Sequence, residues 1–148
     1  MTERAAHLVD EGLPRVPGRR WVLTVPHRLR YLLAWNHPLC RAVLGVYARA
    51  LLGVQRRQAR RRGILDGHAG SVTVIQRFGG GLNLNVHFHT LVLDGVFTET
   101  ETGVLHFHPA PPPSDEDVAR LLATIRTRVR AVARAPRPGA PRRGRDAP

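Results

Sequence analysis

The sequence predicts an α+β domain in which an antiparallel sheet carries helices on one of its faces. Three features lead to this class. Short β-branched and aromatic runs alternate with period two, two longer segments carry apolar residues at the helical period, and glycine-rich or polar turns separate successive strands. The elements follow in the order strand, helices, hairpin, hairpin and helix, and 148 residues suffice for one domain with a real core.

The first half of the chain is predicted to contain an irregular stretch, one strand and two helices. Residues 1–19 hold prolines and glycines without apolar periodicity, which predicts an irregular leader. The run RWVLTVP, residues 20–26, is typical of a buried strand closed by proline. A short helix is expected over 27–35, and a long amphipathic helix from about Pro38 to Gly63.

The second half is predicted to contain two hairpins and a final helix. SVTVIQRF and LNLNVHFHTLVLDG flank a glycine-rich loop, and VFTETETGVLHF forms a further hairpin. Ser114 and Asp117 resemble a capping box, after which an apolar stripe predicts a helix to about Arg134. Residues 135–148 hold proline and arginine without large apolar side chains, which predicts a disordered tail. The folded domain is therefore placed at residues 20–134.

The positive charge of the chain is carried entirely by arginine. There are 23 basic residues against 11 acidic ones, a net charge of +12 and a pI near 11.7. Guanidinium groups match phosphates in geometry, so this balance favours nucleic acid as the partner, although a GC-rich coding sequence would also raise the arginine content. Five arginines crowd the end of the long helix and are candidates for DNA binding, with a solvated helix end as the alternative: Arg56, Arg57, Arg60, Arg61 and Arg62.

Cysteine content and hydropathy exclude several classes. Cys40 is the only cysteine, which rules out an intramolecular disulfide framework and a zinc site built mainly from thiolates. No apolar run reaches the roughly 18 residues of a membrane span, and the start of the chain lacks a basic region followed by an apolar one. The sequence therefore predicts a soluble, cytoplasmic protein without a membrane partner.

Two histidines in the middle of a predicted strand are the best candidates for metal binding. Alternation places His87 and His89 on one strand face, with Cα atoms roughly 6.5–7 Å apart, while Phe88 points into the core. Their nitrogens could converge on one divalent ion. Gln76, on the preceding strand, is the candidate third ligand, and Arg77 beside it is a candidate phosphate contact. The alternative is a half-solvated histidine pair with no ligand.

The same tripeptide occurs a second time. His106 and His108 lie at the end of a short strand, just before Pro109 and a run of prolines, where side chains are expected to be exposed. We therefore interpret this second pair as a surface feature.

A second enzyme class shares part of the spacing around the first pair. Gly81, His87, His89 and Asp94 approximate the first metal motif of cupin barrels, with Asp in place of Glu. No second cupin motif occurs, and two long amphipathic helices fit poorly in a jelly-roll sandwich.

The strings RWVLTVP and VTVIQRFGGGLNLNVHFHTLVLDGVF resemble the rolling-circle insertion-sequence transposases of the HUH endonuclease superfamily, in particular the two-tyrosine group. The resemblance extends over about residues 20–134. It implies nicking and joining of single-stranded DNA, with His87 and His89 holding Mg²⁺ or Mn²⁺ at the scissile phosphate and a tyrosine from a later helix as the nucleophile. Gln76 is carried over only as a candidate third ligand.

The chain departs from this family in two respects. The family usually has a cysteine-rich zinc module in front, which a single cysteine cannot provide. Tyr31 and Tyr47 both precede the histidine strand, and no tyrosine occurs from Ala48 to Pro148. We therefore assign no catalytic residue and expect the N-terminal part of a catalytic domain, whose partner is a downstream fragment carrying the tyrosine. The alternative is a non-catalytic basic DNA-binding protein that retains the fold.

Overall fold

The computed structural model describes residues 14–79 and 83–134. Its elements are β1 (Gly18–Thr24), α1 (His27–Trp35), α2 (His37–Arg61), β2 (Ser71–Phe78), β3 (Leu84–Leu93), β4 (Gly95–Glu99), β5 (Leu105–Pro109) and α3 (Asp115–Arg134). The order and type of these elements confirm the predicted α+β class with antiparallel pairing. Most of the predicted leader, the centre of the glycine-rich loop and the predicted disordered tail lie outside the described residues.

The main sheet has three antiparallel strands in the order β1-β3-β2, so that β3 lies in the centre. β1 begins at Gly18 rather than Arg20 because its pairing with β3 extends to Leu93, the last residue of that strand. It ends at Thr24 rather than Pro26, since proline has no N–H to donate to the ladder. The predicted strand is therefore present but shifted by two residues.

The helices cover one face of this sheet, as predicted. Val86, Phe88, Thr90 and Val92 of β3 are all buried, and the Phe88 ring lies 6.2 Å from the ring of Tyr47 on α2. The buried Thr90 hydroxyl is satisfied by Thr73 of β2 at 2.8 Å. Burial of every second residue confirms the predicted alternation along β3, and within residues 14–79 and 83–134 no helix covers its other face, which we call the open face.

Capping interactions set the ends of the long helix α2, which lie close to the predicted boundaries at Pro38 and Gly63. The Asn36 side chain accepts a hydrogen bond from the backbone N–H of Leu39 at 3.0 Å, and Pro38 occupies the first turn, where it displaces no hydrogen bond. Gly63 follows the helix with φ of +83°, a conformation that glycine adopts at low cost. Cys40 is buried on the inner side of α2, where a free cysteine packs as a small apolar residue.

The second hairpin forms a two-stranded sheet of its own, β4 paired with β5, instead of extending the first sheet. The chain turns at Asp94, whose carboxylate accepts two hydrogen bonds from Arg19, at 3.2 and 2.7 Å. The Asp94 carbonyl also accepts from the N–H of Ala110. These contacts join residues far apart in the chain, so local patterning does not reveal the separation of the two sheets.

The predicted capping box is present at the start of α3. The backbone N–H of Asp117 donates to Ser114 Oγ at 3.2 Å, and the Ser114 backbone N–H donates to the Asp117 carboxylate at 3.2 Å. The Asp117 carboxylate accepts hydrogen bonds from the Ser114 backbone N–H, from Arg120 and from the Ser114 hydroxyl, and these bonds, named in order of decreasing effect, lower its pKa. A carboxyl group whose pKa is lowered in the folded state stabilises the fold at pH values above its ordinary pKa of about 4. This stabilisation is lost as the pH falls through the lowered pKa.

We expect Ser114→Ala to lower the free energy of unfolding by about 1 kcal/mol at neutral pH, the usual cost of removing a serine N-cap. The difference from wild type should narrow below about pH 4, because protonated Asp117 accepts hydrogen bonds less strongly. Urea unfolding at pH 7 and pH 3.5 measures both effects. Thr127→Ala, at an exposed position inside the same helix, is the control and should not destabilise. Equal stability of Ser114→Ala and wild type at neutral pH would contradict the cap.

No helix within the described ranges 14–79 and 83–134 has the length and apolar character required to cross a membrane.

Candidate functional site

The open face of the main sheet carries the first histidine pair at its centre. His87 and His89 are half-buried, and their ring centroids lie 4.6 Å apart at an interplanar angle of 68°. On the neighbouring strands, Thr24 and Gln76 lie directly opposite His87. Because residues directly opposite in a sheet have Cβ atoms only about 4.5–5.5 Å apart, these four side chains share one surface.

A hydrogen bond sets the tautomer of His87. Its Nδ1 lies 2.6 Å from the backbone carbonyl of Asn85. A carbonyl can only accept, so Nδ1 carries the proton and donates, and Nε2 of the neutral ring is left with its lone pair. Metal-binding histidines almost always donate their second ring nitrogen to a carbonyl or carboxylate in this way. His87 is therefore oriented as a ligand would be.

Gln76, the predicted third ligand, lies opposite His87 on the neighbouring strand. Gln76 pairs with His87 in the register of β2 and β3, and its Nε2 donates to the backbone carbonyl of Phe78 at 3.0 Å. This bond orients the side-chain amide and involves its nitrogen but not its oxygen. Among the described residues, no group of three His, Cys, Asp or Glu side chains could hold a metal ion. A cation on this face would therefore take its ligands beyond the two imidazoles from an amide, from water or from a bound phosphate.

Asn85 is a residue of this face to which the sequence analysis gave no role. Its side-chain Oδ1 is buried and has no hydrogen-bond partner within the described part of the chain. A buried amide oxygen without a partner is costly, and such groups commonly mark a site that a ligand or water completes. The signal was present in the sequence, because Asn85 precedes His87 by two residues and so alternates onto the same face.

The second histidine pair has similar geometry and different surroundings. The rings of His106 and His108 lie 4.6 Å apart at 75°. His108 Nε2, however, lies 2.8 Å from Thr98 Oγ1, so the nitrogen that is left free at His87 is engaged here. His106 is exposed, in agreement with its interpretation as a surface residue. The second pair can therefore serve as a control for the first in mutagenesis.

Arg77 does not lie on the histidine face. Its Nη2 donates to His37 Nδ1 at the start of α2, at 3.2 Å, and its charge acts on the buried thiol of Cys40. Burial raises the pKa of that thiol and the nearby guanidinium opposes the rise. The pairing of β2 with β3 is irregular between Gln76 and Phe78, and Arg77 points to the side of the sheet that the helices cover.

The predicted basic cluster lies at the C-terminal end of α2, also on the helical side. Arg56, Arg57, Arg60 and Arg61 are exposed on the helix. Arg62, the first residue after α2, is exposed as well, and its Nη1 donates to the Pro109 carbonyl of β5. The basic cluster therefore lies on the helical side, at the end of α2 next to β4 and β5, and Arg62 makes a structural contact there.

The cupin alternative does not agree with this structure. Asp94, the acidic residue of that motif, is held by Arg19 through two hydrogen bonds at the edge of the main sheet. The histidines lie on a three-stranded sheet covered by helices instead of inside a jelly roll.

Residues 70–143 match the model of the Y2_Tnp family, which is described as "Putative transposase". This range is half of the chain and contains β2 to α3, with both histidine pairs. The chain belongs to this transposase family. No curated protein and no solved structure matches it.

The tyrosines of this transposase chain do not lie on the histidine face. Tyr47 is only 2% exposed, in the core between α2 and β3, and burial raises the pKa of its phenol while Thr90 opposes part of that rise. Tyr31 is 54% exposed on α1, a helix that packs through Leu33 and Ala34 into the same core as Phe88. Both tyrosines thus belong to the helical side of the sheet.

Proposed function

We propose that the chain is the metal- and DNA-binding part of a rolling-circle transposase of the HUH type, which acts on single-stranded DNA. The observation that carries the proposal is the hydrogen bond of His87, whose Nδ1 donates to Asn85 so that Nε2 keeps its lone pair, together with the ring of His89, whose centroid lies 4.6 Å away. Membership of the transposase family and the resemblance of the histidine strand to HUH endonucleases support the same chemistry.

His87, His89 and Gln76 would hold the cation. Two imidazole nitrogens and an amide oxygen are a donor set that Mn²⁺ accepts readily and Mg²⁺ less so, because Mg²⁺ prefers oxygen ligands. The orphaned Oδ1 of Asn85 agrees with such a group at this face. When bound, a divalent cation supplies Lewis-acid polarisation of the scissile phosphate.

The surface around the histidines suits a single strand rather than a closed pocket. Val22 and Val74, which lie directly opposite His89 on the two neighbouring strands, are 46% and 63% exposed. Their apolar side chains flank the histidine pair on both sides. Side chains in such positions can support unstacked bases or the segment that brings the nucleophile.

The nucleophile must come from another segment in this proposal, since both tyrosines of the chain lie on the helical side. A downstream fragment with a tyrosine could cover the open face and place its phenol beside the histidines. The chain would then contribute the phosphate-binding half of the active site.

A non-catalytic DNA-binding protein is the second candidate function. The observation in its favour is the position of Tyr47 and Tyr31 away from the histidines, combined with a net charge of +12. Strand cleavage in the presence of the downstream fragment separates the two candidates, because a purely binding protein would retain DNA without cutting it.

We expect the chain to bind a fluorescent single-stranded oligonucleotide more tightly with Mn²⁺ than with EDTA, by about tenfold or more, equivalent to about 1.4 kcal/mol. In a salt series, the logarithm of the binding constant should fall by about 0.7 per phosphate contacted. Fluorescence anisotropy measures both quantities.

The matched variants are His87→Ala/His89→Ala and His106→Ala/His108→Ala. The first should lose the Mn²⁺-dependent increase and the second should keep it. An increase that survives in the first variant would show that the proposed site is not where metal and DNA meet.

A further inference from the structure

The open face changes from polar to apolar along β3. Its first half carries the histidine pair and the amides beside it, whereas Leu91 and Leu93 follow His89 on the same face. Val72 of β2 lies directly opposite Leu91, and these two side chains are 36% and 39% exposed. The proposed metal site therefore borders an apolar surface that stays accessible within residues 14–79 and 83–134.

The apolar end of the open face holds a pocket of about 400 Å³, a volume typical of sites for small organic groups. Its lining includes Leu91, Leu93 and Val72, together with Gly18 of β1 and Gly70 just before β2. A Cβ added at Gly18 would lie 3.2 Å from Cδ1 of Leu91, and one added at Gly70 would lie 3.1 Å from Cδ1 of Leu93. The two glycines thus leave room for the leucine side chains that shape the pocket.

Arg20 lies beside this pocket and on the same face. It is exposed, and in the register of β1 and β3 it lies directly opposite Leu91, while Val22 lies opposite His89. Diagonal neighbours across an antiparallel pair are about 7–8 Å apart, which a long side chain can span. The guanidinium of Arg20 can therefore reach both the rim of the pocket and the surroundings of His89.

No acidic side chain of the described sheet opposes Arg20. The residues of β1, β2 and β3 include neither Asp nor Glu, and the ion pairs found between described residues involve only Arg19 and Arg120. Asp94, which follows β3, is held by two hydrogen bonds from Arg19. Arg20 is thus available to an anion that lies on the open face.

We propose that Arg20 and the apolar pocket form a subsite for one nucleotide of the single strand, next to the nucleotide whose phosphate lies at the histidine pair. This inference rests on the proposed function. Arg20 binds the phosphate of the neighbouring nucleotide, because a guanidinium matches a phosphate in geometry, and the pocket takes up its unstacked base. We call this site the Arg20 subsite.

The chemistry of the Arg20 subsite favours a single strand over a duplex. A cation beside an apolar pocket suits a group that is anionic at one end and has an apolar face at the other, as an unpaired nucleotide has. The bases of a duplex are stacked inside it and cannot enter such a pocket without being flipped out, which costs free energy. Phosphate binding and apolar contact carry little sequence information, so the subsite positions the strand without selecting a base.

The phosphate contact is tested with the whole chain and a short fluorescent oligothymidylate. The variant is Arg20→Gln, and the matched control is Arg28→Gln, which removes the same charge from an exposed position on α1. Arg20→Gln should bind about tenfold more weakly, as expected for the loss of a charged hydrogen bond, with a salt slope smaller by about 0.7 for one phosphate. Arg28→Gln should change little.

The base contact is tested with an abasic oligonucleotide that has the same number of phosphates. Stacking contributes about 1–3 kcal/mol per base, so the wild type should bind oligothymidylate at least about tenfold more tightly than the abasic strand. Leu91→Thr should reduce this preference about fivefold or more. Its control is Leu105→Thr, an exposed leucine of β5, and threonine is well tolerated in both strands.

The same titrations, repeated in Mn²⁺ and in EDTA, separate this inference from the proposed function. The Mn²⁺-dependent increase should persist in Arg20→Gln, and the preference for oligothymidylate should persist in His87→Ala/His89→Ala. Equal losses in Arg20→Gln and Arg28→Gln, or a base preference that Leu91→Thr leaves unchanged, would overturn the Arg20 subsite. A wild type without any Mn²⁺ effect, but with both differences present, would overturn the metal proposal and retain the subsite as a DNA contact.

Discussion

Replacing His87 and His89 together by alanine is expected to abolish the binding of Mn²⁺ in solution. Because His87 Nδ1 donates to the Asn85 carbonyl, its Nε2 keeps a lone pair for the metal, and the ring of His89 lies beside that of His87. Removing both imidazoles leaves Gln76 alone, which is insufficient for a stable site. We expect the affinity to fall at least about 100-fold, since removal of outer partners alone typically costs 10–100-fold. Isothermal titration calorimetry of the apoprotein with MnCl₂ measures this loss.

The chain supplies its own control for this experiment. His106→Ala/His108→Ala removes the same tripeptide histidines at the same ring separation, but from a pair whose His108 is engaged by Thr98. This variant should bind Mn²⁺ with wild-type affinity, and thermal unfolding should show that both variants remain folded. If Mn²⁺ binding were lost only in His106→Ala/His108→Ala, the metal site would belong to β5.

The alternation along β3 could be predicted from sequence because nearly every second residue is apolar. Only one register buries all of these residues. A shift of one residue would bury His87 and His89 and expose Phe88, at a large cost in free energy. The same reasoning placed Gln76 on the preceding strand, although only the structure fixes its pairing with His87. Local pattern was sufficient for the elements and for the shared face of the two histidines.

Contacts between residues far apart in the sequence determine the features of the site that the sequence pattern did not predict. Arg77 is next to Gln76, yet the irregular pairing before Phe78 and the contact with His37 place it on the helical side. The two HFH tripeptides are identical, and the contact of His108 with Thr98 on the neighbouring strand makes the second pair chemically different from the first. Neither effect has a local signature, since each depends on which strand lies beside which.

We expect that this chain alone does not form a covalent tyrosyl-DNA intermediate, even with Mn²⁺ present. Nicking by a tyrosine requires a phenol oxygen about 3–3.5 Å from phosphorus and in line with the leaving group. Tyr47 is buried against Phe88, and freeing it would disrupt the core. Tyr31 is exposed, but its helix packs on the face opposite to His87 and His89.

Incubation with a labelled single-stranded oligonucleotide, followed by a denaturing gel, tests this directly. The wild type should give no denaturant-stable adduct, and Tyr31→Phe should be indistinguishable from it in DNA binding. An adduct that disappears in Tyr31→Phe would contradict the placement of the nucleophile outside the chain. If the adduct appears only after addition of a tyrosine-bearing downstream fragment, and is lost again in His87→Ala/His89→Ala, the histidine face is half of a split active site. The phosphate is then held by one segment and attacked by another, on the side of the sheet opposite to both tyrosines of this chain.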